Sequence, residues 1–531
     1  MYISRLFRGG TGLLSILCCL LVFSCKGQPE GKEYNDFRFL EYDIRTLQQG
    51  YADSRFTIRE VTRAYLDRIK MIDKNGPGLE AFICINPDAM EIAGKLDRER
   101  AQGLSRGPLH GIPVVLKDNI DTHDKMPVTA GSRALKDSYP LQDSFIAKQL
   151  RDAGAVILGK TNLSEWANFR GELSTSGWSG LGGLTKNPYA LTRNPCGSSS
   201  GSAVAVSANL TVLAIGTETN GSIVCPAHAN GIVGIKPTVG LVSRSGIIPI
   251  SRTQDTAGPM ARTVRDAAIC LSALAAADPA DRKTMAGKEH MQTDYTAFLK
   301  EDGLSGKRIG YYTAFKGINY KVDTLMDSAL AFMRNKGAVI VEVDSILAGS
   351  TGHYSFEVML YEYKDGLNNY FESLGPDAPV SDLGRLIAFN KKDSVELKYF
   401  NQKYLEMAAN KGNTDSPEYK KALSKMLAGS REKGIDRIMD EYDLDAIIAP
   451  TGTPAWKTDL INGDSFQFGS SSPAAQSGYP NITVPMGFIG ELPVGISFFG
   501  RAWSEPLLLE IAYAYEQGSM HRKIPRFLPL Y

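Results

Sequence analysis

Between Arg308 and Val343 the pattern of apolar and polar positions changes period twice. Arg308–Tyr312 reads as a short strand, Leu325–Met333 keeps helical spacing, and Val339–Val343 returns to a strand. Similar units lie upstream. Thr57-Ile58-Arg59-Glu60 forms a capping box, with Ile58, Val61, Tyr65, Ile69 and Ile72 continuing one helical face. Phe145–Leu150 predicts a helix running into a strand at Ala155–Leu158. Small apolar residues from Ala203 to Ala208 predict a tightly packed helix, followed by buried strands at Val212–Ile215 and Ile232–Ile235. Alternation of this kind predicts an α/β fold, a sheet with helices on both faces. Asp278–Asp302 is polar and reads as a surface loop. Residues 353–440 are long, helical, charged and aromatic, with Tyr361, Tyr363, Tyr370, Phe371, Tyr399 and Phe400. They predict a helical excursion over the sheet that helps shape the substrate entrance.

The N-terminus follows a different pattern. Arg5 and Arg8 precede an apolar run of 11 residues, Leu13 to Phe23, too short to span a bilayer comfortably. The run ends in Val22-Phe23-Ser24-Cys25, which resembles a bacterial lipoprotein signal cut before a lipidated Cys25. The expected organisation is a signal peptide at 1–24, a lipid-anchored tether at 25–40 and one domain at 41–531, in a bacterial envelope. Lys26 after the cysteine points to the outer membrane. Acylation anchors a chain rather than spanning a bilayer, at roughly 0.8 kcal/mol per buried CH₂.

Charge narrows the function. Without Arg5 and Arg8 of the signal, 57 basic side chains face 58 acidic ones, a balance with no footprint for nucleic acid. Cys84, Cys196, Cys225 and Cys270 contain no C-x-x-C pair, so no zinc ribbon is expected. They read as buried free thiols, with one bridge as the alternative.

The candidate chemistry lies in two glycine-framed turns. Ser198 sits in Gly197-Ser198-Ser199-Ser200-Gly201, and Ser222 follows Gly216-Thr217-Glu218-Thr219-Asn220-Gly221. Lys117 ends the apolar run Pro113-Val114-Val115-Leu116, so its root is expected to be buried, where desolvation disfavours the ammonium form. An amide is a poor electrophile and needs an activated nucleophile, an anion site and a proton donor for the departing nitrogen. A neutral lysine is a base, consecutive N–H groups in a glycine turn converge on an anion, and Ser198 can relay a proton between them.

From Asn194 to Ser202, from Gly216 to Pro226 and from Gly234 to Thr238 the chain closely resembles the amidase signature family. Gly111–Asp118 matches the family's lysine motif, and the resemblance extends from about Tyr42 to Gln517. It implies a single α/β domain around one large mixed β-sheet flanked by helices. It also implies Lys117 as base, Ser198 as a bridging serine after a cis peptide bond, and Ser222 as the acylated nucleophile. The backbone N–H groups of Thr219, Asn220, Gly221 and Ser222 would form the oxyanion hole. The family's chemistry needs neither metal nor organic cofactor. Glu218 stands where many members carry Asp, and Asn220 where they usually carry Gly or Asp. Trp166–Arg170, Gly177-Trp178-Ser179 and Gly240–Arg244 resemble the peptide amidase branch, which removes ammonia from C-terminally amidated peptides. Trp178 is the candidate pocket wall.

The alternatives are an amidase of small aryl or acyl amides and a non-catalytic envelope lipoprotein that binds peptides or amides. Gly197–Gly201 also fits the G-x-S-x-G elbow, with Ser199 as nucleophile. That elbow follows a buried strand, whereas Ala190–Cys196 contains Asn194-Pro195 and no apolar run.

Overall fold

The structure, a computed structural model, describes residues 33–531. The segment read as a signal peptide and the expected lipidation site Cys25 lie outside the described residues. No helix among the described residues is long and apolar enough to cross a membrane.

Thirteen strands follow one another along the chain. They are β1 (Phe82–Ile85), β2 (Pro113–Lys117), β3 (Val156–Thr161), β4 (Trp178–Ser179), β5 (Gly183–Leu184), β6 (Leu213–Glu218) and β7 (Val233–Lys236). They continue as β8 (Thr256–Ala261), β9 (Arg308–Tyr312), β10 (Val339–Val343), β11 (Ala446–Pro450), β12 (Asn481–Ile489) and β13 (Leu492–Phe499). Eleven of them form one mixed sheet in the order β1-β3-β2-β6-β8-β7-β12-β13-β11-β9-β10, while β4 and β5 make a separate ribbon. The strands β3-β2-β6 run parallel, as do β11-β9-β10; antiparallel pairs join these blocks. Every residue of β2, β3, β6, β7 and β8 is buried, as expected for strands covered on both faces.

The expected elements form, with ends shifted by up to five residues. The capping box is present, with Thr57 accepting from the Glu60 N–H and starting the helix Ile58–Ile69. Phe145–Asp152 is helical and runs into β3. The small-residue helix spans Ser200–Ser207, and all eight of its residues are buried. Gly201 permits that depth, since a Cβ there would lie 2.2 Å from the Ala81 carbonyl oxygen.

One expectation is corrected. Asp278–Asp302 is not a simple surface loop: it contains the helix Arg282–Ala286 and buries Thr284 and Tyr295. Its acids are held from inside, Asp278 by the Ser243 hydroxyl at 2.6 Å and Asp281 by the Arg244 guanidinium at 2.6 Å. The helical residues 353–440 fold as five helices, from Thr351–Ser373 to Asp436–Glu441. Leu360, Tyr363, Leu367 and Phe371 pack on Val128, Trp166, Phe169, Ile248 and Ile250. The first helices of this excursion thus rest on connections beyond the strand ends, while Ile435, Ile438 and Met439 pack on Val343, Ile447, Ala449 and Phe499 of the sheet.

Candidate active site

The sheet order makes the site. Strand β2 pairs in parallel with β6, Leu116 opposite Ile215, so Lys117 emerges beside Thr217. The Lys117 side chain is fully buried. Its Nζ lies 2.7 Å from Ser198 Oγ, 2.9 Å from Thr217 Oγ1 and 3.2 Å from the Thr217 carbonyl oxygen. Among the described residues no carboxylate pairs with it. Burial draws its pKa down from the ordinary lysine range to about 7, although Asp255 and Glu218 favour the charged form.

Thr217 and Asn119 belong to this arrangement and are not singled out by the sequence motifs. Asn119 Nδ2 donates to Thr217 Oγ1 at 3.0 Å. The available signal is periodicity, because residues i and i+2 at a strand end share a face and so place Asn119 with Lys117.

The peptide bond Gly197–Ser198 is cis. Ser198 and Ser199 are both fully buried. The Ser199 N–H donates to the Ser222 carbonyl at 3.2 Å, which joins the two serine loops. The Ser199 hydroxyl donates to the Thr217 carbonyl and accepts from the Thr217 N–H, so it is committed to the backbone. His228 is also fully buried, and burial lowers its pKa to about 3. The nucleophile-elbow reading therefore has neither a free serine hydroxyl at 199 nor a base at 228.

The turn 218–222 is organised by Glu218. Its carboxylate accepts the N–H groups of Gly221 at 2.8 Å, Ile223 at 2.8 Å and Val224 at 3.1 Å, at the start of the helix Val224–Ala229. The Gly221 N–H is thereby engaged. The N–H groups of Thr219, Asn220 and Ser222 meet no protein acceptor among the described residues. Gly221 has φ +86°, and a Cβ there would meet Ser471 Oγ at 2.9 Å, two reasons for glycine. Thr219 Oγ1 donates to Asp255 at 2.6 Å, fixing one side of the turn. The Asn220 side chain reaches outward: it accepts from the Ser471 hydroxyl at 2.7 Å and donates to Ser472 Oγ at 3.3 Å. Asn220 thus ties the turn to a segment some 250 residues on, a contact its motif does not reveal.

Ser222 opens on a cavity of about 520 Å³, whose walls include Leu173, Tyr404, Trp456, Asp464 and Phe466. Asp464 pins this wall by accepting from Ser176 Oγ, Trp456 Nε1 and Asn194 Nδ2. Trp178, the expected pocket wall, does not line this cavity. It packs edge-on to Tyr399 and Phe400 with the Arg170 guanidinium over its ring; Trp456 lines the cavity instead.

The cysteines also require a correction. Cys196 and Cys225 form a disulfide, and only Cys84 and Cys270 are free among the described residues. Sequence separation hid the pair, because a long-range fold brings the residue before Gly197 against the helix after Ser222. Among the described residues no cluster of three His, Cys, Asp or Glu side chains is placed to hold a metal ion.

A buried amine touching a serine hydroxyl, beside a glycine turn with unpaired N–H groups on a large mixed sheet, describes a hydrolase of the carbon–nitrogen class. The family model for amidases matches residues 60–509. The chain belongs to the amidase signature family and is an amidase. A probable amidase of Arabidopsis thaliana is 40% identical over 534 residues, covering 98% of both chains. A putative amidase of Arthroderma benhamiae is 38% identical, covering 91% of this chain and 83% of its own. Among solved structures, the native peptide amidase of Stenotrophomonas maltophilia is 49% identical, with a TM-score of 0.88, over 92% of this chain and 99% of its own.

The disulfide supports a direct prediction. It closes a loop over a sequence separation of 29 residues, worth about 3–4 kcal/mol by chain entropy. Replacing Cys196 and Cys225 together by serine is expected to lower the unfolding free energy by about that amount in urea titrations. Thiol titration of denatured, unreduced residues 26–531 should find Cys84 and Cys270 reactive and the other two silent. Four reactive thiols would contradict the pairing.

Proposed function

We propose that this amidase is serine-dependent, forms an acyl-enzyme on Ser222, and removes ammonia from C-terminally amidated peptides. The observation that carries the mechanism is the 2.7 Å approach of Lys117 Nζ to Ser198 Oγ in a buried site. In its neutral form Lys117 has two N–H groups and one lone pair. Thr217 O and Oγ1 accept the two N–H groups, which leaves the lone pair for the Ser198 hydroxyl. Lys117 takes the Ser198 proton as Ser198 takes the proton of Ser222. Ser222 Oγ bonds to the amide carbon, and the carbonyl electrons move onto oxygen, which rests on the turn's free N–H groups. Collapse of this intermediate breaks the C–N bond while the relay returns the proton to nitrogen, so ammonia leaves. Water then repeats the sequence on the acyl-enzyme and releases the carboxylate.

Two features support a peptide amide as substrate. The solved peptide amidase shares 49% of its residues with this chain. Among the described residues no lysine, arginine or histidine lines the cavity at Ser222, so a neutral carboxamide fits where a free carboxylate finds no countercharge.

The test is ammonia release from a C-terminally amidated peptide. The purified protein is expected to release it, and Ser222→Ala and Lys117→Ala to lose at least about 10³-fold in kcat while remaining folded. Release surviving in folded Ser222→Ala would overturn the mechanism. Turnover of aryl or acyl amides without peptide amides would overturn the substrate class alone.

The depressed pKa of Lys117 also predicts a pH profile. The neutral amine is the active form, so kcat/KM should climb as pH rises through about 7 and level above it. A profile flat between about pH 5 and 9 would count against lysine as the base.

A further inference from the structure

A second cavity of about 570 Å³ is lined by Thr217, Glu218 and Thr219 and shares no lining residue with the Ser222 cavity. Thr217, which accepts from Lys117 Nζ, and Asn119, which donates to Thr217, both line it. Ile247, Ile248, Ile250 and Leu374 line it together with three carboxylates that are already engaged, Glu218 by the Gly221 N–H, Asp255 by Thr219 and the Ile250 N–H, and Asp281 by Arg244. Asp121 also lines it and is only 6% exposed. The Tyr370 hydroxyl donates to Asp121 Oδ1 at 2.9 Å, and among the described residues no lysine or arginine forms an ion pair with this carboxylate. Lys160, the cation that bears on Asp121, is turned to the Ile120 carbonyl.

The two arginines lining the cavity do not invite an anion. Arg244 is committed to Asp281, with Nε–Oδ2 at 2.8 Å and Nη2–Oδ1 at 2.6 Å. Arg252 is 61% exposed and leans on Glu362. A carboxylate in an apolar, water-poor setting is costly without a cation, and a ligand ammonium removes that cost while its hydrocarbon covers the walls. Asn369 and Ser373, on the same face as Tyr370, add neutral polar groups near the opening.

We propose that this cavity is a binding site for a primary ammonium carried on an apolar body, with Asp121 as its countercharge. The inference does not rest on the proposed peptide amide substrate. Calorimetric titration of the protein with hexylammonium, hexanol and hexanoate tests it. Hexylammonium should bind at least about ten-fold tighter than either analogue of equal length. Asp121→Asn should weaken hexylammonium by at least about ten-fold while amide turnover stays within about three-fold. Hexanol or hexanoate binding as tightly as the amine would overturn the proposal. So would an amine affinity unchanged in Asp121→Asn, which would place the amine elsewhere. The comparison of three ligands on the unaltered protein decides the matter even if Asp121→Asn fails to fold.

Discussion

Everything in this site depends on keeping an amine out of water without giving it a countercharge. Lys117 is fully buried, and the atoms around its nitrogen are oxygens of neutral groups. An isolated ammonium in such a place is strongly disfavoured, so the protein stabilises the free base at a pH where an exposed lysine is charged. Nothing else in the site reproduces this. His228 is buried and accepts the Gly495 N–H, and Asp255 and Glu218 spend their oxygens on backbone N–H groups and on Thr219.

The same constraint explains the sheet. Lysine burial requires a strand covered on both faces, and β2 lies between β3 and β6, among strands that are all buried. Pairing with β6 delivers Thr217 to the amine and carries the chain on to the turn that bears Ser222. The helix Ser200–Ser207, made of small residues, lets the Ser198 loop approach from below. The disulfide and the Ser199 N–H to Ser222 carbonyl bond then fasten the two serine loops together.

Much of this was legible from residue patterns. Arg308–Tyr312 and Val339–Val343 form strands at the expected bounds, and the capping box at Thr57 begins its helix. Lys117 lies against Ser198 across 81 residues of chain, a contact that the family resemblance implies and no local pattern could. What stayed hidden depends on contacts distant in sequence. The Cys196–Cys225 bridge, the Asn220 link to Ser471 and the choice of Trp456 over Trp178 as cavity wall are set by chain crossings that no local pattern encodes. Glu218 is a middle case. It reads as a departure from the family pattern, yet its carboxylate reaches three N–H groups of the following turn.

In the proposed mechanism a lone neutral lysine, acting through Ser198, activates Ser222. Acyl trapping tests it most directly: the protein is mixed with an activated ester of a short peptide, quenched in acid within one turnover, digested, and its fragments are weighed. One acyl group is expected on the fragment containing Ser222, absent from Ser222→Ala and strongly reduced in Lys117→Ala. An acyl group on Ser199, or undiminished acylation of Ser222 without Lys117, would contradict it.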